Sequence, residues 1–517
     1  MTTMKKIFRY ALTLIAVCAL FSCNDQLDIE QMGNLGSDAD FYKTDADADE
    51  AITACYTDIG TMYEPIKAAD DLMSDDVWCG GGQRNDNAQR EDLGSFTFGS
   101  TNEVIQTMYE NLYTLIYHAN LVIEKFDSFD TPIKKRDLAE AYFFRGFAHF
   151  YLGAYFGTAP VVDHLLNNDY SLANSTREQL YEQAANDLKK AVESGDLTKK
   201  SGINDRQVRI TQGAAESFLG KTLVYAGKYS EAATYLNKVV SSNLYRLNNG
   251  AYENLLHQGN DYDAEHVLEW NAVTDFNNLT VNLYYLYRGF RGEFYKWNVK
   301  DSTLNNTAYG FYNPTKDLYD AFVKEEGADG YRLNQSIKTL SQIEAYGISV
   351  IAGKTLHGHE GYWNWKQRML NNDYIIFGIF PTVNYVWMRY AEVLLLAAEA
   401  NVQSGNTAEA LKDINAVRER AKLPARASIT MEDVKTEKRL ELWGEGCRWM
   451  DLVRWGDAAK KLSNKGKEMP GFTLKGKTIE YTNANAGFKS GKNEMLPIPD
   501  QEIKLNKNMV QNPGYKK

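Results

Sequence analysis

Two stretches of the sequence each encode a pair of helices joined by a short glycine-containing turn. In the first, apolar residues recur at helical spacing over residues 211–225, Gly227 ends the helix, and a partner follows over 230–240. The second stretch has the same organisation over residues 391–421, and small alanine residues in both let paired helices approach closely. Because such a hairpin buries its apolar face only against neighbouring hairpins, the early and late units must pack together, with the middle of the chain inserted between them.

These hairpins resemble tetratricopeptide repeats, and helical patterns elsewhere extend the same scaffold. Apolar residues recur at helical spacing over residues 45–62, 101–126 and 136–156. A capping box formed by Thr176 and Gln179 starts another helix. We therefore predict a mostly α fold, in which a tetratricopeptide-like helical-repeat scaffold carries a loop-rich inserted ligand-binding region.

The middle of the chain has a different character from the two ends. Residues 266–270 alternate in the manner of a strand, and the stretch around them is rich in Asn, Gly and aromatic residues, which indicates long loops. Binding surfaces commonly lie on loops that a rigid scaffold supports. The predicted segments are a signal peptide (1–22), a tether (23–40), an N-terminal helical scaffold (41–244), a loop-rich aromatic ligand-binding region (245–385) and a C-terminal helical repeat (386–517).

The N-terminus has the pattern of a bacterial lipoprotein signal. Cationic residues precede an apolar run over residues 11–21, which is too short to span a membrane and has the length of a signal-peptide core. The small Ser22 before Cys23 fits cleavage at that point and lipidation of Cys23. Several acyl chains make a lasting membrane anchor. An ordinary secretory signal with a chance cysteine is the alternative.

Composition excludes several classes of function. The formal net charge of −11 argues against nucleic acid or anionic lipid as the ligand. After Cys23 the chain keeps only Cys55, Cys79 and Cys447, which form neither a disulfide framework nor a zinc pattern. The 33 tyrosines point mildly to sugar binding, because aromatic faces stack on the C–H faces of sugar rings. We predict no cofactor, and the sequence leaves open whether a calcium ion stabilises a loop.

Two C-terminal motifs carry a family resemblance. Residues 438–456 read KRLELWGEGCRWMDLVRWG, with Trp443, Trp449 and Trp455 among arginines and carboxylates and a break at Gly444–Gly446; residues 496–515 read LPIPDQEIKLNKNMVQNPGY. Both resemble the C-terminal signature of the SusD/RagB family, the outer-membrane glycan-binding lipoproteins of Gram-negative bacteria. We expect the three tryptophans to be structural. We also expect the charged residues around them to pair at i, i+3 and i+4, namely Glu441, Glu445, Arg448, Asp451 and Arg454.

The resemblance implies a function and a place in the cell. It implies a surface lipoprotein that is not an enzyme, that captures oligosaccharide and delivers it to a SusC-like TonB-dependent transporter. The acidic residues Asp25, Asp28 and Glu30 resemble the surface-export signal of these bacteria, so the lipid-anchored chain is expected to face the exterior. Three alternatives stay open: a peptide or other non-sugar ligand, a surface glycoside hydrolase, and a purely structural adaptor.

Two regions are candidates for the ligand site. The first is an aromatic cluster with interspersed arginines, which would stack on sugar rings and hydrogen-bond their hydroxyls; the alternative is that the cluster is a local core. The second is a loop rich in Gly and Asn, where a lone tryptophan has little core to bury in. The predicted ligand-binding residues are Tyr284, Tyr285, Tyr287, Arg288, Phe294, Tyr295 and Trp297 in the cluster, and Trp78, Arg84, Asn85 and Asn87 in the loop.

Other motifs are given structural interpretations. Residues 471–478 fit the phosphate-loop pattern, but Pro470 precedes them and a strand-like stretch follows, so we do not predict nucleotide binding. His357 and His359 lack a fixed third ligand for a metal. The run 361–366, with Trp363 and Trp365, is expected in the core. A catalytic carboxylate pair for glycoside hydrolysis depends on distances in space and is not decided by the sequence.

Overall fold

The protein is built mainly from α-helices, with short strands between them. The computed structural model describes residues 41–126, 128–166, 171–272, 281–376 and 380–516. The predicted signal peptide, the predicted lipidation site Cys23 and the predicted tether lie outside these residues. Within the described ranges, no helix combines the length and apolar character that crossing a membrane requires.

The helices are numbered here in chain order. They are α1 (Asp45–Met73), α2 (Ala88–Ser95), α3 (Glu103–Lys125), α4 (Pro132–Tyr151), α5 (Arg177–Ser194), α6 (Gln212–Tyr225), α7 (Tyr229–Ser241), α8 (Leu283–Leu286), α9 (Lys316–Glu326), α10 (Tyr331–Ser336), α11 (Leu340–Ala345), α12 (Tyr390–Gln403), α13 (Thr407–Arg420), α14 (Met431–Leu442), α15 (Arg448–Arg454), α16 (Ala458–Leu462) and α17 (Asp500–Leu505). A π-helical turn, Leu152–Phe156, extends α4.

The strands are short and pair in small antiparallel sheets. Five sheets have two strands (β1·β4, β2·β11, β3·β6, β5·β8 and β9·β10), and one has three in the order β13-β12-β7. The strands are β1 (Val77–Cys79), β2 (His266–Trp270), β3 (Tyr295–Trp297), β4 (Tyr312–Pro314), β5 (Ile337–Thr339), β6 (Ile348–Val350), β7 (Leu356–His357), β8 (Tyr362–Asn364), β9 (Tyr374–Ile376), β10 (Phe380–Pro381), β11 (Tyr385–Arg389), β12 (Glu468–Thr473) and β13 (Gly476–Thr482).

The early and late hairpins pack against each other, as the sequence predicts. Helix α1 packs on α3 and α4, α4 on α5, α5 on α6, and α6 on α7. Helix α7 then contacts α12, and α12 packs on α13 and α14. One buried apolar cluster runs through these helices, whereas part of the inserted region has a smaller core around Phe290, Trp363, Trp365 and Phe472. The predicted core positions of Trp363 and Trp365 are confirmed.

Local signals place several helix boundaries correctly. The capping box of Thr176 and Gln179 is present, and Thr211 caps α6. Helix α1 continues beyond the predicted 45–62 and past Pro65 to Met73, because its last two turns are buried against the rest of the chain. There the carboxylate of Asp70 accepts hydrogen bonds from the first backbone N–H groups of α15, at 3.0 and 3.1 Å.

The C-terminal signature is a helix break surrounded by buried charges. Gly444 and Gly446 adopt φ of 71° and 69°, which turns the chain between α14 and α15 and is open to glycine at little cost. Trp443 and Trp449 are buried, as predicted. The expected i, i+3 and i+4 charge pairing is wrong for most of the set: Asp451–Arg454 pairs in this way, but Glu441, Glu445 and Arg448 pair with distant elements because their side chains are largely buried against other parts of the chain.

Candidate functional site

The site is built where strand β1 ends and strand β4 begins. Trp78 pairs with Asn313 in the antiparallel ladder, and the ladder continues past both strands. The N–H groups of Gly80 and Gly81 donate to the carbonyls of Phe311 and Gly310 at 2.9 and 3.0 Å. Gly81 has φ +116°, and a Cβ there would lie 2.7 Å from the Phe311 ring. This close approach sets the loop of residues 82–86, the site loop, beside residue 309.

Two tyrosines form an open aromatic surface next to the site loop. The rings of Tyr287 and Tyr309 have centroids 5.8 Å apart and an angle of 31° between their planes. Tyr309 is 43% exposed, whereas Phe311 beneath the pair is buried. The Arg90 guanidinium lies 4.3 Å from the Tyr287 centroid and supports that ring. We call Tyr287 and Tyr309 the tyrosine shelf.

A salt bridge links the site loop to the predicted aromatic cluster. Asp86 accepts a hydrogen bond from the N–H of Gly82 at 2.8 Å and a second from Arg291. Arg291 also pairs with Glu293 at 2.6 Å. The structure therefore brings together the two regions that the sequence analysis identified separately, with Arg291 at the junction.

The polar residues of the loop differ in how much they offer a ligand. The Arg84 side chain is 56% exposed, lies 3.8 Å from Glu91 and has its guanidinium 4.0 Å from the Tyr481 ring centroid. Asn85 is exposed in a left-handed conformation. The side-chain oxygen of Asn87 caps α2, accepting from the N–H of Arg90 at 3.2 Å. Arg84 and Asn85 thus have polar groups facing solvent, while the Asn87 oxygen already has a structural partner.

Trp78 lies on the neighbouring strand and is half-buried. Its indole N–H donates to Glu360 at 3.0 Å, and Glu360 also accepts from the backbone of Lys316 at 2.6 Å. Trp297, at the far end of the aromatic cluster, is half-buried against Phe290 at 5.6 Å between centroids. Ligand contact by either indole remains a prediction.

Much of the predicted aromatic platform is core, which corrects the sequence analysis. The hydroxyls of Tyr284 and Tyr285 donate to backbone carbonyls, and both rings are 1% exposed. The Arg288 guanidinium lies 3.4 Å from the Tyr284 centroid and 2.5 Å from Asp71. Buried rings present no face to a ligand: Tyr284 and Tyr285 belong to the main apolar cluster, and Phe294 and Tyr295 belong to the smaller one. The corrected residues are Tyr284, Tyr285, Arg288, Phe294 and Tyr295.

Tyr309 and Arg291 were not among the predicted site residues. The available signal was local: Tyr309 precedes Gly310 in an aromatic stretch that also includes Phe311 and Tyr312. Its place beside the site loop depends on the pairing of β1 with β4, which no local pattern encodes.

Comparisons with known proteins agree with this architecture. A family model described as the SusD family matches residues 355–515, and one described as starch-binding associating with outer membrane matches residues 34–224. The chain belongs to the SusD family. SusD-like protein P38 of Formosa agariphila is 26% identical, over 89% of this chain and 94% of that protein. Starch-binding protein SusD of Bacteroides thetaiotaomicron is 24% identical, over 82% and 81%.

A solved structure of a laminarin binding SusD-like protein has the same fold. It superposes with a TM-score of 0.77 at 26% identity and covers 92% of this chain and all of that one. The helical-repeat scaffold predicted from the hairpins is therefore confirmed as a SusD fold. The second family model also describes this SusD family as associated with the outer membrane.

His357 and His359 of this SusD-family chain both have structural partners. His357 Nδ1 bonds Glu480, and His357 Nε2 lies 3.7 Å from Glu91. His359 Nδ1 accepts from the N–H of Gly361 at 2.9 Å, and burial lowers the pKa of His359 to about 3. Over the described ranges, no three His, Cys, Asp or Glu side chains are grouped as metal ligands.

The phosphate-loop pattern of this SusD-family chain is a β-hairpin. Residues 471–478 span the turn between β12 and β13, where Thr473 pairs with Gly476. A phosphate-binding loop opens a helix whose N-terminus faces the phosphates. Because a strand follows here, the segment lacks that geometry.

Proposed function

We propose that this protein captures oligosaccharide at the tyrosine shelf and delivers it to a SusC-like TonB-dependent transporter. The single observation that carries the binding proposal is the exposed Tyr309 ring beside Tyr287 at the edge of a polar loop. Such rings stack on the C–H faces of sugars. Arg84 and Asn85, which face solvent on the site loop, would hydrogen-bond sugar hydroxyls. The names of relatives, laminarin binding and starch-binding, support a glucan as ligand.

The proposed activity is binding without catalysis or a cofactor. A glycoside hydrolase needs a carboxylic acid with a raised pKa beside the scissile bond. Asp86 is the carboxylate of the site loop; burial raises its pKa, but the Gly82 N–H and Arg291 outweigh burial and leave the pKa lowered. Glu64, near the shelf, pairs with Arg90 at 2.8 Å. Both carboxylates therefore serve to position other groups in this proposal.

The proposed location is the outer surface of the outer membrane. A lipid on Cys23 would anchor the chain, and the following acidic residues would direct it to the exterior. The family description, association with the outer membrane, supports this location.

The test is calorimetry of residues 24–517 with laminarin, starch oligosaccharides and a wider glycan panel. Wild-type protein is expected to bind at least one glycan. Tyr309→Ala should weaken that binding about 2- to 10-fold, the equivalent of about 0.5–1.5 kcal/mol for one stacked ring. Tyr117→Ala is the matched control, since Tyr117 is a 55% exposed tyrosine on α3, away from the shelf.

Three outcomes would overturn the proposal. If the wild-type protein binds no glycan on the panel, the function is wrong. If Tyr309→Ala binds as tightly as wild type, the site lies elsewhere on the surface. Turnover of any glycan by the purified protein, above a heat-killed control, would replace binding with catalysis.

A further inference from the structure

Glu91 is the point at which three separate elements meet the site loop. One carboxylate oxygen accepts the backbone N–H of Asn85 at 2.7 Å, and the other accepts the hydroxyl of Tyr481 from β13. His357 Nε2, from β7, lies 3.7 Å from the first oxygen. Glu91 itself belongs to α2 and is 7% exposed. A buried carboxylate with this set of contacts fixes the loop relative to the β7·β12·β13 sheet.

A second layer of contacts surrounds the same carboxylate. His357 Nδ1 bonds Glu480 on β13, and the His357 ring is stacked with Tyr481 at 6.2 Å and 16°. The Tyr481 ring also carries the guanidinium of Arg84 at 4.0 Å. The site loop is therefore held at both its backbone, through Asn85, and its longest side chain, through Arg84.

The loop needs such contacts because its own geometry is unfavourable. Asn85 has φ +61°, a left-handed conformation that non-glycine residues adopt at a cost. Residues held in this region persist when the surrounding structure imposes the conformation. Glu91 imposes it from one side, and the Asp86–Arg291 pair does so from the other.

The charges of this group are set by burial and by neighbouring carboxylates. Burial alone would lower the pKa of His357, but Glu480 and Glu91 outweigh it and raise the pKa to about 9. Burial likewise raises the pKa of Glu91, but His357, Tyr481 and the Asn85 N–H lower it to about 2. The groups that face His357 are Glu91, Glu480 and Tyr481, with Asp86 and Arg84 beyond them. At neutral pH an imidazolium thus lies between two carboxylates.

We propose that Glu91 and His357 are positioning residues that hold the site loop in its binding conformation beside the tyrosine shelf. The inference rests on the proposed function for its biological meaning, but loop order itself is measured without a ligand. A loop that is ordered before binding loses less conformational entropy when a glycan arrives, so the affinity is higher.

The first experiment is limited trypsin digestion of residues 24–517, following cleavage after Arg84 by mass spectrometry. Arg84 is exposed, so its cleavage rate reports how often the loop opens. Glu91→Gln and His357→Gln should each raise the rate at least about fivefold. Glu409→Gln is the matched control, because Glu409 is an exposed carboxylate on α13 that pairs with Lys412 at 2.7 Å. Cleavage at other sites and the thermal unfolding midpoint check that each variant is folded.

The pH dependence keeps the test valid if a variant fails to fold. The folded pKa of His357 is raised above its ordinary value of 6.5, so its stabilising charge is fully present below pH 6.5 and is lost as pH rises through about 9. Cleavage of the wild-type protein after Arg84, normalised to a short arginine peptide, should therefore increase between pH 8 and pH 10. A flat normalised rate over this range would overturn the proposal.

Glycan binding separates this inference from the proposed function. Glu91→Gln and His357→Gln should weaken glycan binding about tenfold at pH 7, whereas Tyr309→Ala should weaken binding and leave cleavage after Arg84 at the wild-type rate. If folded Glu91→Gln and His357→Gln proteins are cleaved after Arg84 at the wild-type rate, the positioning role is wrong, while the proposed glycan site is unaffected. If the wild-type protein binds no glycan, the proposed function is wrong, but the cleavage rates after Arg84 still test the positioning role.

Discussion

Replacing Arg389 should test whether the buried charge cluster holds the scaffold together. The Arg389 side chain is fully buried and pairs with Glu445 through two short hydrogen bonds of 2.8 and 2.6 Å. It also contacts Glu441 at 3.3 Å and bonds Glu265. Arg389→Met keeps most of the side-chain volume and removes the charge, so three buried carboxylates lose a shared cation.

The expected cost follows from the number of strong contacts that are lost. A hydrogen bond to a charged group contributes about 1.5–3 kcal/mol, so the two short bonds to Glu445 suggest about 3–6 kcal/mol. Removing one partner of a buried ion pair costs about 3–5 kcal/mol, which agrees. Lys366, Arg420 and Arg332 still contact these carboxylates, so we expect about 4 kcal/mol rather than the sum of all contacts.

The pH dependence of this loss has a definite sign. Burial raises the pKa of Glu441, but Arg420, Arg389 and Arg332 outweigh it and lower the pKa from 4.5 to about 2. A lowered folded pKa stabilises the protein above pH 4.5, and that stability is lost as pH falls through about 2. This lowering of the Glu441 pKa corresponds to about 3 kcal/mol of folding stability, at about 1.4 kcal/mol for each pKa unit. The difference in unfolding free energy between wild type and Arg389→Met should therefore become smaller as the pH is lowered.

The assay is urea unfolding followed by tryptophan fluorescence at pH 7 and pH 4. Arg206→Met is the control, since Arg206 is exposed and a surface substitution should change stability by less than about 0.5 kcal/mol. A loss below about 1 kcal/mol at pH 7 for Arg389→Met would refute the reasoning. A difference in unfolding free energy between the two proteins that is larger at pH 4 than at pH 7 would also refute it.

Three further predictions concern single sites. Gly358 has φ +54°, and a Cβ there would overlap the carbonyl of Cys79, so Gly358→Ala should cost about 2 kcal/mol or more in urea unfolding. Thr176→Ala removes an N-cap and should cost about 1 kcal/mol in the same measurement, with a larger loss arguing for an additional role. Burial raises the pKa of Cys79 to about 12 and also raises the pKa values of Cys55 and Cys447. Ellman's reagent should therefore detect no thiol at pH 8 in the folded protein of residues 24–517, and should detect the three thiols once urea unfolds it.

The sequence predicts the helical scaffold well because its signals are local. The capping box at Thr176, the Thr211 cap and the turn at Gly227 lie within a few residues of the boundaries they set. The strand over His266–Trp270 is also as predicted. The packing of early on late hairpins was predictable for a physical reason, since each unit has an apolar face that only a neighbour can cover.

The site could be predicted only in part, because its geometry comes from long-range pairing. Tyr309 reaches the site loop through a ladder that joins residues more than 200 positions apart. Strands of three residues, such as β1, β3 and β4, are too short for an alternating pattern to separate buried from exposed rings. The densest aromatic run was interpreted as a platform, although Tyr284 and Tyr285, on the single-turn helix α8, fill the core.

The C-terminal signature and the candidate site meet at the end of helix α1. Asp70 caps α15, and Asp71 accepts the N–H of Gly446 at 2.9 Å and binds Arg288, so two consecutive carboxylates join the signature to the aromatic segment. A few residues later the chain enters β1 and then the site loop. Because that loop starts from a buried junction that Asp70 and Asp71 hold on both sides, its base is fixed before any ligand arrives. The contacts of Glu91 with Asn85 and His357, and the Asp86–Arg291 pair, then have only the tip of the loop to order.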